Sequence, residues 1–230
     1  MKSIKNSIFI LSFSNFMLRA FLQGLIPLYA FLMAKLGAAS SEVGIFLSVS
    51  YVAIITGTYL AGELIPKYIN PKKFFIISYI PVAFAIAAYG FSATLWQFEL
   101  AGVVGSFFVG TGICSNNILM SYYSTTESLG KNFSFLASSS LMATVAGGFI
   151  VGPLISKIGS YWAFTIFGTT LLLCTIFLFF LEMPNFKKEH TSNFKFKISK
   201  KFALLLLAIF FTGLLLYGGK SIKVAPVPPQ

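Results

Sequence analysis

The chain has 230 residues, 57% of them apolar and only 10% charged, with a mean hydropathy of +0.84. An ordinary soluble domain is about a quarter charged, so six acidic residues (all Glu) and 17 basic ones are too few to coat a soluble surface. This excludes a cytosolic enzyme, a disordered regulator and a nucleic-acid-binding domain, in spite of a net charge of +11, and predicts an all-α polytopic protein of the cell membrane.

Seven apolar segments follow one another at about 8–34, 43–66, 74–94, 98–123, 133–156, 160–183 and 202–219. At about 1.5 Å per residue each crosses a hydrocarbon core of about 30 Å, the last one only just. Backbone groups in lipid must bond within their own segment, so runs of this length are helices. A transmembrane barrel would instead alternate over ten-residue stretches.

The first segment follows Lys2 and Lys5 and is too long for a signal-peptide core, so it reads as a retained helix. It carries Ser12, Asn15, Arg19 and Gln23 at steps of three, four and four, which places them on one polar stripe. An arginine near mid-bilayer costs about 2.5–3.5 kcal/mol on insertion scales. It belongs against protein or a wet cavity, either as the wall of a solute site attracting an anionic or polar group, or bound to backbone carbonyls between helices. Asn15, Arg19, Gln23 and, on the fourth segment, Asn117 are the candidate substrate-binding residues. On that fourth segment Ser106, Gly110, Asn117 and Ser121 share a face, with Asn116 beside it.

The second segment has Ala53, Gly57 and Ala61, and the fifth has Ser140, Thr144, Gly148 and Gly152, all at four-residue spacing. Small residues so spaced let helices approach closely. Between the second and third segments stands a short basic loop, Lys67 to Lys73, and between the sixth and seventh a longer one with six lysines. With the amino terminus in the cytoplasm, twelve lysines fall inside and four outside, a positive-inside bias. The basic loops read as topogenic anchors beside anionic lipid.

Chemistry-bearing constellations are missing. Cys114 and Cys174 lie within apolar runs, His190 is alone, and no acidic residue sits mid-span. No metal spacing, nucleophile–base pair or phosphate loop occurs, so neither catalysis nor a cofactor is expected, and no proton relay is visible. The seventh segment has no lysine, against a retinal-type protein.

Residues 57–67, GTYLAGELIPK, and 147–157, GGFIVGPLISK, both fit G-x4-G-x-L-I-x-K at an offset of 90. The same offset pairs Phe74 with Phe164 and Ile76 with Ile166, whereas helices one and four match poorly by it. Three helices separate the copies, so the copies are inverted in the membrane, as in the repeats of many secondary transporters.

Two inverted groups of three helices, a basic loop after helix two, a long basic loop after helix six and then a seventh helix together resemble the first half of a major facilitator superfamily transporter and the start of its second. The resemblance covers about residues 5–217. Gly62, Leu64, Lys67, Lys72 and Lys73 fit the family's signature after helix two, with Pro66 in place of its acidic residue. In helix four Gly105, Gly110 and Gly112 fit, with Ser106 in place of an arginine. Gly148, Gly152 and Pro153 resemble the family's helix-packing Gly-Pro motif.

The resemblance implies a conformational latch at Gly62, Lys67, Lys72 and Lys73, and a solute path lined by helices one and four. It divides the chain into a six-helix bundle (1–184), a basic cytoplasmic loop (185–201), a seventh helix (202–219) and a short tail (220–230). A chain of this length reads as a truncated or half-length transporter moving a small solute, with anions among the candidates, by alternating access. It would be completed by a homodimer or by a separate C-terminal half. The other reading is a non-transporting remnant or an assembly subunit of another membrane protein. No nucleic acid is expected as a partner.

Overall fold

The structure, a computed structural model, describes residues 2–68 and 70–181, and their side chains over 6–26, 28–65 and 70–181. The basic loop 185–201, the predicted seventh helix and the tail lie outside the described residues. The described residues form helices joined by short connections: α1 (Lys2–Lys35), α2 (Ser40–Tyr68), α3 (Pro71–Phe91), α4 (Leu95–Tyr122) and a run over Leu129–Phe179.

That last run has 51 residues, roughly 76 Å of helix, more than twice the thickness of a bilayer core. It breaks at Gly159, whose φ of 82° and ψ of 162° are not helical. A side chain disfavours that conformation, and glycine adopts it freely. We label the two parts α5 (129–158) and α6 (160–179). Six helices thus stand where the sequence predicts the first six spans; α1 to α4 and the run that α5 and α6 share are each long and apolar enough to cross a membrane.

Local signals fix the ends. α1 stops in a Schellman turn, with Ala38 N–H donating to the Met33 carbonyl at 3.0 Å and Gly37 N–H to the Ala34 carbonyl at 3.0 Å. α2 begins with the Glu42 carboxylate accepting from Ala39 N–H at 2.6 Å, half of a capping box. α3 starts three residues before its predicted segment. Asn70 caps it by accepting from Lys72 N–H at 2.9 Å, and Pro71 holds the first helical position.

α1 packs chiefly on α5 and α6, α2 on α4, and α3 between α4 and α6. The two long crossings are glycine-mediated. A Cβ on Gly57 would overlap the Phe107 carbonyl oxygen, and one on Gly147 would overlap the Ala20 carbonyl oxygen. These crossings correspond to each other. Adding 90 turns the α2 position into the α5 position, and adding 87 turns the α1 position into the α4 position. The rule holds three times: Gly57 on Phe107 answers Gly147 on Ala20, Gly110 on Ile54 answers Gln23 on Thr144, and Gly102 on Phe46 answers Asn15 on Leu136. The helix-one and helix-four match is therefore displaced by three residues from the offset that pairs α2 with α5.

Contacts also give direction. α3 runs with α1, since Tyr79 meets Ser14 and Tyr89 meets Tyr29. It runs against α4, since Ser78 meets Thr111 and Ala85 meets Gly105. α1 and α4 are thus antiparallel, and the triplet α4–α6 repeats α1–α3 upside down.

One end of the bundle is closed by rings. Tyr29, Phe46, Tyr89, Phe98 and Phe164 come from five different helices and are all buried. Their centroids approach to 4.5 Å for Tyr89–Phe98 and 5.6 Å for Tyr89–Phe164, both tilted, and to 5.3 Å for the edge-to-face pair Tyr29–Phe46, the range of favourable ring separations. The outer surface is apolar, with Ile55, Leu141, Phe149 and Phe180 exposed, as expected where the solvent is lipid tail.

Candidate functional site

The polar stripe of α1 lies on one side of the helix, and two of its four residues, Asn15 and Gln23, are engaged with α5. The Asn15 amide donates to Ser140 Oγ at 2.7 Å, Ser139 Oγ at 3.1 Å and the Leu136 carbonyl at 3.4 Å. Two turns on, Thr144 Oγ1 donates to Gln23 Oε1. Asn15 and Gln23 are therefore side chains that tie α1 to α5. Two residues predicted to meet solute have hydrogen bonds to a neighbouring helix, because an amide inside a membrane protein pairs with the nearest polar group, Asn15 as donor and Gln23 as acceptor.

Arg19 sits midway between these two ties. It is partly buried, and its Nε is buried without a hydrogen-bond partner. Its charge lies within electrostatic reach of Tyr79, whose hydroxyl donates instead to the Ser14 carbonyl at 2.8 Å. A guanidinium offers five donors in a planar fork that suits carboxylate or phosphate oxygens. By the offset of 87, Arg19 occupies on α1 the place that Ser106 has on α4. The bundle therefore carries this charge on one side of its symmetry only.

Asn117 is exposed, and no tie to α1 accompanies it. Its neighbour Asn116 is 98% buried and its Oδ1 has no hydrogen-bond partner. One residue is about 100° on a helix, which is why α4 turns one asparagine inward and the other outward.

The predicted latch residues divide. Gly62 packs near Cys114, with a Cβ position 3.7 Å from its Sγ. Lys72 Nζ donates to the Phe179 carbonyl at 2.8 Å and the Leu181 carbonyl at 2.6 Å. It thus caps the C-terminal carbonyls of α6, where a cation is favoured by the helix dipole. Lys73 is exposed. The Lys67 side chain lies outside the described residues.

The predicted packing motif is not seated against a neighbouring helix among the described residues. Nothing lies within 4 Å of a Cβ on Gly148 or Gly152, and Pro153 is exposed. Gly147, one residue earlier, makes the α1 crossing with Ala143 and Val151 fully buried on either side. The physical reason is again rotation: the four-residue stripe that begins at Ser140 and Thr144 against α1 turns away from α1 by Gly148.

A groove of about 400 Å³ runs between α2 and α4, lined by Val49, Val52, Val103, Phe107 and others. Thr56 is its one polar lining residue, so it lacks the convergent polar groups that orient a solute. No cluster of metal-binding side chains occurs among the described residues. The sequence pattern did not single out Tyr79 or Ser139, and it set Asn116 only beside the stripe; the available signal for Tyr79 was that a tyrosine deep in an apolar span needs a partner for its hydroxyl.

Two comparisons bear on this arrangement. No curated protein is significantly similar to the chain. A family model described as Major Facilitator Superfamily matches residues 8–226.

Proposed function

The chain belongs to the major facilitator superfamily, a family of multi-pass membrane transporters rather than enzymes, and from that premise we propose that it moves a small solute across the cell membrane by alternating access. The observation that carries the reading is Arg19. Its two stripe neighbours are tied to α5, while its own Nε is buried and unbonded. A buried donor without a partner costs about 1–3 kcal/mol, more when charged, so a site that keeps one gains by binding an acceptor. The proposed solute is accordingly a small anion or a solute with an oxygen-rich polar group. Arg19 is its ligand, and Asn15 and Gln23 hold the helix that presents it.

Lysine counts support an amino terminus in the cytoplasm. The same end carries the proposed latch of Gly62, Lys67, Lys72 and Lys73, with Lys72 acting through the end of α6. Gly148, Gly152 and Pro153, which leave their face of α5 open, are proposed to receive a second bundle, from another copy or a separate C-terminal half. Asn117 on α4 is proposed to reach the solute from the opposite wall.

The test is flux in proteoliposomes containing the full chain, with a panel of radiolabelled small anions and neutral solutes. Uptake of at least one anion that disappears in Arg19→Ala and partly returns in Arg19→Lys supports the reading. Equal uptake by wild type and Arg19→Ala refutes the role of Arg19. No uptake across the whole panel refutes transport by this chain alone.

A further inference from the structure

A second polar site lies inside the bundle, away from the α1/α5 seam. On α3 and α4, Thr111 Oγ1 donates to Ser78 Oγ at 2.9 Å, and Ser115 Oγ donates to the Thr111 carbonyl at 2.7 Å. On α1, the Ser14 carbonyl accepts the Tyr79 hydroxyl at 2.8 Å. All five of these residues are buried. Two further groups in the same region have no partner. Ser14 Oγ is unbonded in a residue with 0% exposure, and Asn116 Oδ1 is unbonded in a residue with 2% exposure.

These groups converge. A Cβ on Gly112 would lie 3.9 Å from Leu18 and from Ser78, and 4.0 Å from the Tyr79 ring. Asn116 is one turn beyond Gly112 on α4, and α4 runs against α1. That turn brings Asn116 from the level of Leu18 to the level of Ser14, where the Tyr79 hydroxyl ends. Three helices thus bring an unbonded acceptor, an unbonded hydroxyl and a phenol to one level of the buried interior.

We propose that this spot between α1, α3 and α4 is a binding site for an ordered water, donating to Asn116 Oδ1 and accepting from Ser14 Oγ beside the Tyr79 hydroxyl. Buried waters occupy polar sites that offer two to four partners, and a buried carbonyl oxygen left unbonded is rare. A bare cation fits less well. No carboxylate is among these residues, and the positive Arg19 lies within electrostatic reach of Tyr79. A buried anion would find the Asn116 oxygen and the Ser14 carbonyl facing it. The water would brace α4 against α1 at the end of the bundle opposite the aromatic closure. It is distinct from the solute position proposed at Arg19, and its test does not depend on transport.

The experiment is radiolytic hydroxyl labelling of the purified full chain in detergent, read residue by residue by mass spectrometry. Radicals formed from a bound water label the side chains that touch it even when bulk solvent cannot. Tyr79, Tyr29 and Tyr89 are all nearly or fully enclosed, but the last two sit in the aromatic closure, with their hydroxyls 3.4 Å apart. The proposal expects Tyr79 to be labelled several-fold faster than Tyr29 and Tyr89. It expects Asn116→Leu to bring Tyr79 down to their rate, and Ser14→Ala to do so in part. If Asn116→Leu does not fold, the wild-type contrast and the Ser14→Ala variant still decide. Tyr79 as silent as Tyr29 and Tyr89 overturns the proposal. So does labelling that changes when sodium is replaced by choline, which would mark a cation site.

Discussion

Two crossings in this bundle are copies of each other, and they are built from different chemistry. Where α2 meets α4, the closest approach is through backbone: Gly57 lies on Phe107 and Gly110 on Ile54, with Thr58 Oγ1 donating to the Gly110 carbonyl at 3.1 Å and Gly102 making room for the Phe46 ring. Where α1 meets α5, Gly147 still lies on Ala20, but the positions answering Gly110 and Gly102 are Gln23 and Asn15, each bonded across the seam. The difference shows what the repeat requires. The glycine at the point of closest approach is common to both, since a side chain there would displace a backbone. The flanking positions are free to vary, and in one copy they have become a polar seam with a lone arginine at its centre.

The largest effects should come from filling the shared glycines. Gly57→Leu and Gly147→Leu each put a side chain into facing backbone. The destabilisation should exceed the ~3 kcal/mol usual for overpacking a core, enough to remove the monodisperse peak on size-exclusion chromatography in detergent. Gly148→Leu, which meets open space, should leave that peak in place. Equal damage from Gly147→Leu and Gly148→Leu would break the comparison.

Next are the side chains that set the two crossings apart. Asn15→Leu removes hydrogen bonds to three acceptors and should cost about 0.6–1.7 kcal/mol, the range for interhelical hydrogen bonds in membranes, read as a lower unfolding midpoint. Gln23→Leu and Thr144→Val should each cost toward the lower end of that range. Their double variant should cost less than the sum, because both remove one bond. A fully additive double variant would show that the bond contributes nothing. Smallest of all, Lys72→Met should cost about 0.3–1 kcal/mol through the uncapped end of α6, with Lys73→Met close to neutral. A larger loss at Lys73 would return that lysine to a structural role.

Much of this was legible in the sequence. Span lengths gave the helices, and a 51-residue helical run could only be two spans, broken at Gly159. The repeat was legible in α2 and α5, where matching residues survive. It was hidden in α1 and α4 because matching points of α4 and α5 stand three residues further apart along the chain than those of α1 and α2 (offsets of 87 and 90), which shifts the register by nearly one turn. Periodicity placed Ser12, Asn15, Arg19 and Gln23 on one stripe but does not say what a stripe faces. The choices between Gly147 and Gly148, and between Asn116 and Asn117, turn on one residue of helix rotation, which packing decides and spacing does not.

The central claim is that Arg19 serves a solute while its neighbours serve the fold. The direct measurement is the unfolding midpoint of Arg19→Leu beside that of Asn15→Leu, in the same detergent. The account predicts that Arg19→Leu unfolds at or above the wild-type midpoint, since it removes a partly buried cation whose Nε is buried without a partner, whereas Asn15→Leu unfolds below it. An Arg19→Leu midpoint as low as that of Asn15→Leu would contradict the account and make the arginine part of the scaffold.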